Sequence, residues 1–135
     1  MVARALIISD SLATYGVFHR HLQQYPDSAL WVLDAADLRF FELDSYSKHP
    51  ELVLLDVTGS KTKCLAATAR VRALFPQAKI AVRVIGEWRH FGRLILEAGA
   101  HGVIDASTYR SKNDLAIMID SIMAGNIIYR ESGHD

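Results

Sequence analysis

The sequence predicts an α/β domain built on a doubly wound parallel sheet, and three observations carry that expectation. Five short runs rich in branched aliphatic residues recur at 4–10, 29–33 with Asp34 closing it, 51–56, 79–85 and 102–105. They are continuous rather than alternating, as strands buried on both faces are. Between them the apolar spacing lengthens to three and four residues, the helical period. Four of the five runs also end on a carboxylate, at Asp10, Asp34, Asp56 and Asp105.

Each element has its own signal. Arg4 to Asp10 forms the first strand, ending in an acid, after which Leu12, Tyr15, Phe18 and Leu22 mark an amphipathic helix stopped by Tyr25-Pro26. Residues 29–33 form the second strand, and 38–46, with Phe40, Phe41 and Leu43, a weaker helical segment. The central strand, 51–56, follows His49-Pro50. From Lys61 to Phe75 the residues Cys64, Leu65, Thr68, Val71, Leu74 and Phe75 keep helical spacing until Pro76 ends it. Residues 79–85 form the fourth strand and 89–98 a helix, with Gly99 suited to the positive-φ residue beyond a helix end. A short fifth strand spans 102–105. Ser111 to Asn113 offer an N-cap for a last helix over 115–124, stopped by Gly125.

Strict β-α alternation with short connections implies right-handed crossovers and a sheet covered on both faces. The natural solution is a flavodoxin-like (βα)5 sheet of strand order 2-1-3-4-5. In that order Asp10 and Asp56 come out side by side at the carboxyl edge, where open α/β sheets gather ligands, and two acids there suit a hard cation. The alternative for both is that they cap the turns that follow them.

A chain of 135 residues that is 50% hydrophobic and 22% charged fits one domain, 1–125, with 126–135 as a tail or the start of a linker. Fifteen bases balance fifteen acids, so net charge favours neither DNA nor an anionic membrane. Cys64 is the only cysteine, which excludes an internal disulfide and a cysteine zinc cluster. No apolar run approaches membrane-spanning length and no signal peptide is legible, so a soluble cytoplasmic protein is expected.

The stretches Ala5-Leu6-Ile7-Ile8-Ser9-Asp10, Glu51-Leu52-Val53-Leu54-Leu55-Asp56, Glu97-Ala98-Gly99-Ala100-His101-Gly102-Val103-Ile104 and Ile122-Met123-Ala124-Gly125-Asn126 together resemble the receiver domain of two-component response regulators. The likeness is closest to the nitrate-response subfamily, whose receivers precede a helix-turn-helix domain. It implies that Asp56 is the phospho-acceptor position and that Ser9 and Asp10 stand where the family pairs two Mg²⁺-binding acids, leaving one. The family's hydroxyl residue ending strand four maps onto Val84, its lysine after strand five onto Ala106, and its aromatic switch residue onto Val103. Thr58-Gly59 replaces the usual Met-Pro.

An aspartyl phosphate adds roughly −1.5 to −2 charge that a cation and oriented donors must neutralise. Losing the lysine removes an attraction of roughly 4 kcal/mol at 4 Å in an effective dielectric near 20, before desolvation. Asp10, Asp56 and the Thr58 carbonyl remain as weak Mg²⁺ ligands. Arg83 is unusual in a strand expected to be buried. The ordinary outcome is that it snorkels past a helix to solvent; the other is that it reaches Asp56 and substitutes for the missing charge.

The remaining candidates have plain explanations. Cys64 falls on an apolar helical stripe and reads as core. His19 and His21, two apart on a helix, face different directions, and none of the six histidines has ligand spacing to another. Trp88, Arg89, His90 and Arg93 form either a partner patch or an ordinary loop and solvated helix face. Hydroxyls at Ser9, Ser11 and Thr14 weakly suggest a flavin phosphate loop, but Asp10 within it repels phosphate.

The expectation is thus a non-enzymatic, phosphorylation-impaired receiver-like domain acting through protein contacts; the alternative is a receiver phosphorylated on Asp56 with Mg²⁺. The resemblance implies a homodimer, formed through the first and last helices or through the fourth helix, fifth strand and fifth helix. Leu115, Ile119, Ile122 and Met123 could serve core or interface. A histidine kinase or other regulatory protein is the implied partner, with DNA reached only through a separate output domain.

Overall fold

The computed structural model describes residues 4–9, 27–32, 50–57, 60–84, 91–105 and 112–126. Five strands, β1 (Arg4–Ser9), β2 (Asp27–Val32), β3 (Leu52–Asp56), β4 (Lys79–Val84) and β5 (Gly102–Asp105), form one parallel sheet of order β2-β1-β3-β4-β5. Three helices follow β3, β4 and β5: α1 (Lys61–Leu74), α2 (Gly92–Glu97) and α3 (Lys112–Met123). The helices expected over 12–22 and 38–46 lie outside the described residues.

Period-two alternation divides the core into two layers. Leu6, Ile8, Val53, Leu55, Ile80, Val82, Val84 and Val103 pack with Cys64, Ala67 and Val71 of α1 and Ile95 of α2. Ala5, Ile7, Leu52, Leu54, Ala81 and Ile104 pack with Leu115, Ile119 and Ile122 of α3. Helices therefore cover both faces, and β1, β3 and β4 are buried almost throughout because each has a strand on either side and a layer above and below. Leu115, Ile119 and Ile122 are core, Met123 is packed at its margin, and Cys64 is a fully buried core residue.

The caps explain the boundaries. Ser60, in extended conformation, accepts the Lys63 N–H on Oγ at 3.1 Å and starts α1. Beyond α2 the Gly99 N–H donates to Leu96 O and the Ala100 N–H to Ile95 O; beyond α3 the Gly125 N–H donates to Ile122 O and the Asn126 N–H to Ser121 O. Both are Schellman ends, which need positive φ at the glycine: 126° at Gly99 and 96° at Gly125. Gly99 has a second constraint, because a Cβ there would lie 2.7 Å from Arg72 Cγ, whereas nothing lies within 4 Å of one at Gly125.

His101 closes the start of the β4–β5 ladder. Its N–H donates to Ile80 O, and its Nδ1 accepts the Ile80 N–H at 3.0 Å, which requires a neutral ring at that nitrogen. Burial, then the charges of Lys79 and Arg72, push its pKa below the usual 6.5.

Two outcomes follow. Gly125→Ala should destabilise the fold by about 1 kcal/mol through backbone strain and Gly99→Ala by clearly more, measured by urea denaturation. Below pH 6.5 the unfolded chain binds a proton that folded His101 resists, so its contribution to stability is full above that pH and lost as pH falls through the lowered folded value. His101→Asn, which keeps an acceptor but does not titrate, should flatten the fall in Tm over that range.

Candidate functional site at the carboxyl edge of the sheet

The register builds the site. Ser9 pairs with Asp56 across β1 and β3, and Leu55 pairs with Val82 across β3 and β4, so the next row along sets Asp56 beside Arg83. Counting in twos from Ala5, Leu52 and Ala81 places Ser9, Asp56 and Arg83 on one face, the face that α3 covers.

The side chains meet there. Asp56 is fully buried. Ser9 Oγ donates to its Oδ2 at 3.3 Å, and Arg83 Nη1 donates to its Oδ1 at 3.2 Å. Arg83 is only 13% exposed, so the pair is shielded from bulk water. At that separation the attraction is about 5 kcal/mol for an effective dielectric near 20, before the desolvation of both groups is subtracted. Each carboxylate oxygen thus has a donor delivered by a neighbouring strand, as a buried polar group requires.

The structure chooses between the two outcomes left open for Arg83 and corrects the placing of Val84. Arg83 does not run past a helix to solvent; its guanidinium turns onto Asp56, because its position in the strand faces the same layer as the acid. Val84 is not the β4 residue nearest the acid's chemistry, because one step along a strand reverses the face: it is fully buried in the opposite layer with Val82 and Val103. The β1 residue paired with Asp56 is Ser9, while Asp10, Thr58 and Ala106 lie outside the described residues. Ser9, expected as the replacement of an acid and as one hydroxyl of a weak flavin loop, is the hydroxyl that bonds the carboxylate. Counting face parity from the strand ends was the signal that could have found it.

The described donor set does not suit Mg²⁺. On this face it offers one carboxylate, with a guanidinium against one oxygen and a hydroxyl against the other, so a dication at that carboxylate would meet the repulsion of a fixed cation. Among the described residues no group of three or more His, Cys, Asp or Glu could hold a metal ion.

Removing the cation should be costly. Arg83→Ala leaves a buried carboxylate whose guanidinium is gone and is expected to lower stability by about 3 kcal/mol, whereas Arg83→Ala combined with Asp56→Leu should recover much of the loss. Urea denaturation of the two variants and the Asp56→Leu single variant checks this.

No protein-family model matches the chain, and no curated protein matches it. Solved structures do. A LuxR family DNA-binding response regulator from Silicibacter pomeroyi is 25% identical, with 97% of this chain and 99% of that one covered at a TM-score of 0.65. A LuxR family two-component response regulator from Aurantimonas sp. SI85-9A1 is 22% identical, covering 98% and 91% at 0.68. The isolated REC domain of RcsB from Salmonella enterica serovar Typhimurium, in the presence of phosphomimetic BeF3-, is 13% identical, covering 96% and 94% at 0.70. With a parallel sheet of order β2-β1-β3-β4-β5 and a buried aspartate ending its third strand, the chain has the fold of response-regulator receiver domains.

Proposed function

We propose that the chain is a signal-transduction receiver domain whose phospho-acceptor position, Asp56, is impaired by a built-in ion pair, and that it acts through protein contacts rather than turnover. The observation that carries this reading is the Arg83–Asp56 pair at 3.2 Å, with the acid fully buried. Oδ1 already holds a guanidinium and Oδ2 a hydroxyl, so attack on a phosphoryl group has to draw the acid's electron density away from a resident cation, which makes it a weaker nucleophile. The same pair supplies permanently the positive charge that a phosphorylated receiver recruits on modification, which holds the domain in one state.

Regulation then falls to association, as a homodimer or with a kinase or other regulatory protein. The named likeness to a LuxR family DNA-binding response regulator supports placing the domain as the regulatory half of a transcription regulator, with DNA reached through a separate output domain. Mg²⁺ binding, if Asp10 and the Thr58 carbonyl join Asp56, is weak in this reading because Arg83 already neutralises the acid.

Incubation with acetyl phosphate and Mg²⁺, read by intact mass and size-exclusion chromatography, tests the proposal. The expected result is no phosphoryl adduct, and an elution volume shared with Asp56→Asn. A stoichiometric adduct accompanied by a change in oligomeric state refutes it.

A further inference from the structure

The charges of this neutral chain are unevenly placed. Residues 57–86 contain Lys61, Lys63, Arg70, Arg72, Lys79 and Arg83 and no Asp or Glu, which leaves the rest of the sequence with six more acids than bases. Four of those bases lie on α1. Its buried side is Cys64, Ala67, Thr68 and Val71, and its outer positions Thr62, Ala66, Ala69 and Ala73 are exposed, small and uncharged.

At 3.6 residues per turn the bases form two rails flanking that neutral strip, Lys61 with Arg72 on one side and Lys63 with Arg70 on the other. Lys61, Arg70 and Arg72 are exposed, and Lys63 is half-buried. The first rail is held in place: Lys61 Nζ stands 5.7 Å from the centre of the Phe91 ring, and Arg72 Nη1 donates to Pro76 O at 2.7 Å.

A helix face kept soluble for its own sake ordinarily mixes both signs, with acids in the first turn and Glu–Lys pairs four apart. Here the first turn holds no acid, and Lys61 and Lys63 face the positive end of the helix dipole. Lys63 is the telling case. Ser60 is the N-cap and bonds the N–H of residue 63, so a glutamate at 63 would complete a capping box; the chain carries a lysine instead. A lysine there forgoes the capping-box stabilisation, a local conflict of the kind expected where a surface is used.

We propose that the outer face of α1 docks an acidic segment of a partner protein, laid along the neutral strip with its carboxylates reaching the two rails. Nucleic acid fits less well, because a polyanion responds to the field of the whole chain, and the sequence pI is about 7.0. The surface is separate from the Asp56 pair, so its use does not depend on whether that acid accepts phosphate.

Fluorescence anisotropy at low salt, with a fluorescein-labelled glutamate-rich helical peptide, its glutamine counterpart and a random DNA duplex as probes, tests this on the full chain. The glutamate peptide should bind, the glutamine peptide should not, and added salt should weaken binding. Lys63→Glu with Arg70→Glu should weaken it about tenfold or more, while Arg4→Glu on β1 leaves it unchanged. Lys63→Glu alone should raise Tm by completing the capping box, which separates lost binding from lost folding. Undetectable binding, equal binding of the two peptides, indifference to the double reversal, an equal loss with Arg4→Glu, or preference for the duplex overturns the proposal.

Discussion

A carboxylate buried at the end of a central strand is the constraint on which the arrangement of this sheet edge depends. Asp56 has no exposed surface, so its charge must be met by groups the fold itself delivers. The neighbouring strands deliver them, β1 through the Ser9 hydroxyl and β4 through the Arg83 guanidinium. Both depend on register. A slip of one residue in either strand would turn the donor to the opposite layer and bring an aliphatic side chain against the acid.

That dependence distinguishes this edge from a site that waits for a cation. A guanidinium carried on the adjacent strand is part of the sheet itself, and its contact with the acid ties the ends of β3 and β4 together. The likeness to response-regulator receivers lies in the fold, and at this edge the described partners of the carboxylate come from the two neighbouring strands of its own sheet.

The helix ends show a different balance between stability and use. Gly99 and Gly125 take positive φ where the Schellman ends demand it, and Gly99 also lets the Arg72 stem lie against the chain, so local geometry and packing agree. At the start of α1 they do not agree. Ser60 provides half of a capping box and Lys63 declines the other half, in a helix without a single acid. One lysine at such a position is ordinary, but four bases arranged as two rails around a neutral strip give the exception a direction.

Much of this was legible in the sequence because it rests on local periodicity. The continuous aliphatic runs marked the strands, Pro76 and Gly99 marked helix ends, and the acid closing residues 51–56 marked the edge where chemistry gathers. Mapping along the chain also singled out Arg83 as out of place in a buried strand. What it could not decide was where that side chain goes, because a one-dimensional alignment to Val84 ignores that adjacent residues of a strand face opposite layers. The β1–β3–β4 register, which is set by hydrogen bonds between segments far apart in the chain, brought Ser9 and Arg83 onto Asp56 and sent Val84 into the other core. Periodicity is a property of neighbours in sequence, and so the elements could be read directly; the pairing of charges is a property of neighbours in space, and only the folded sheet decides it.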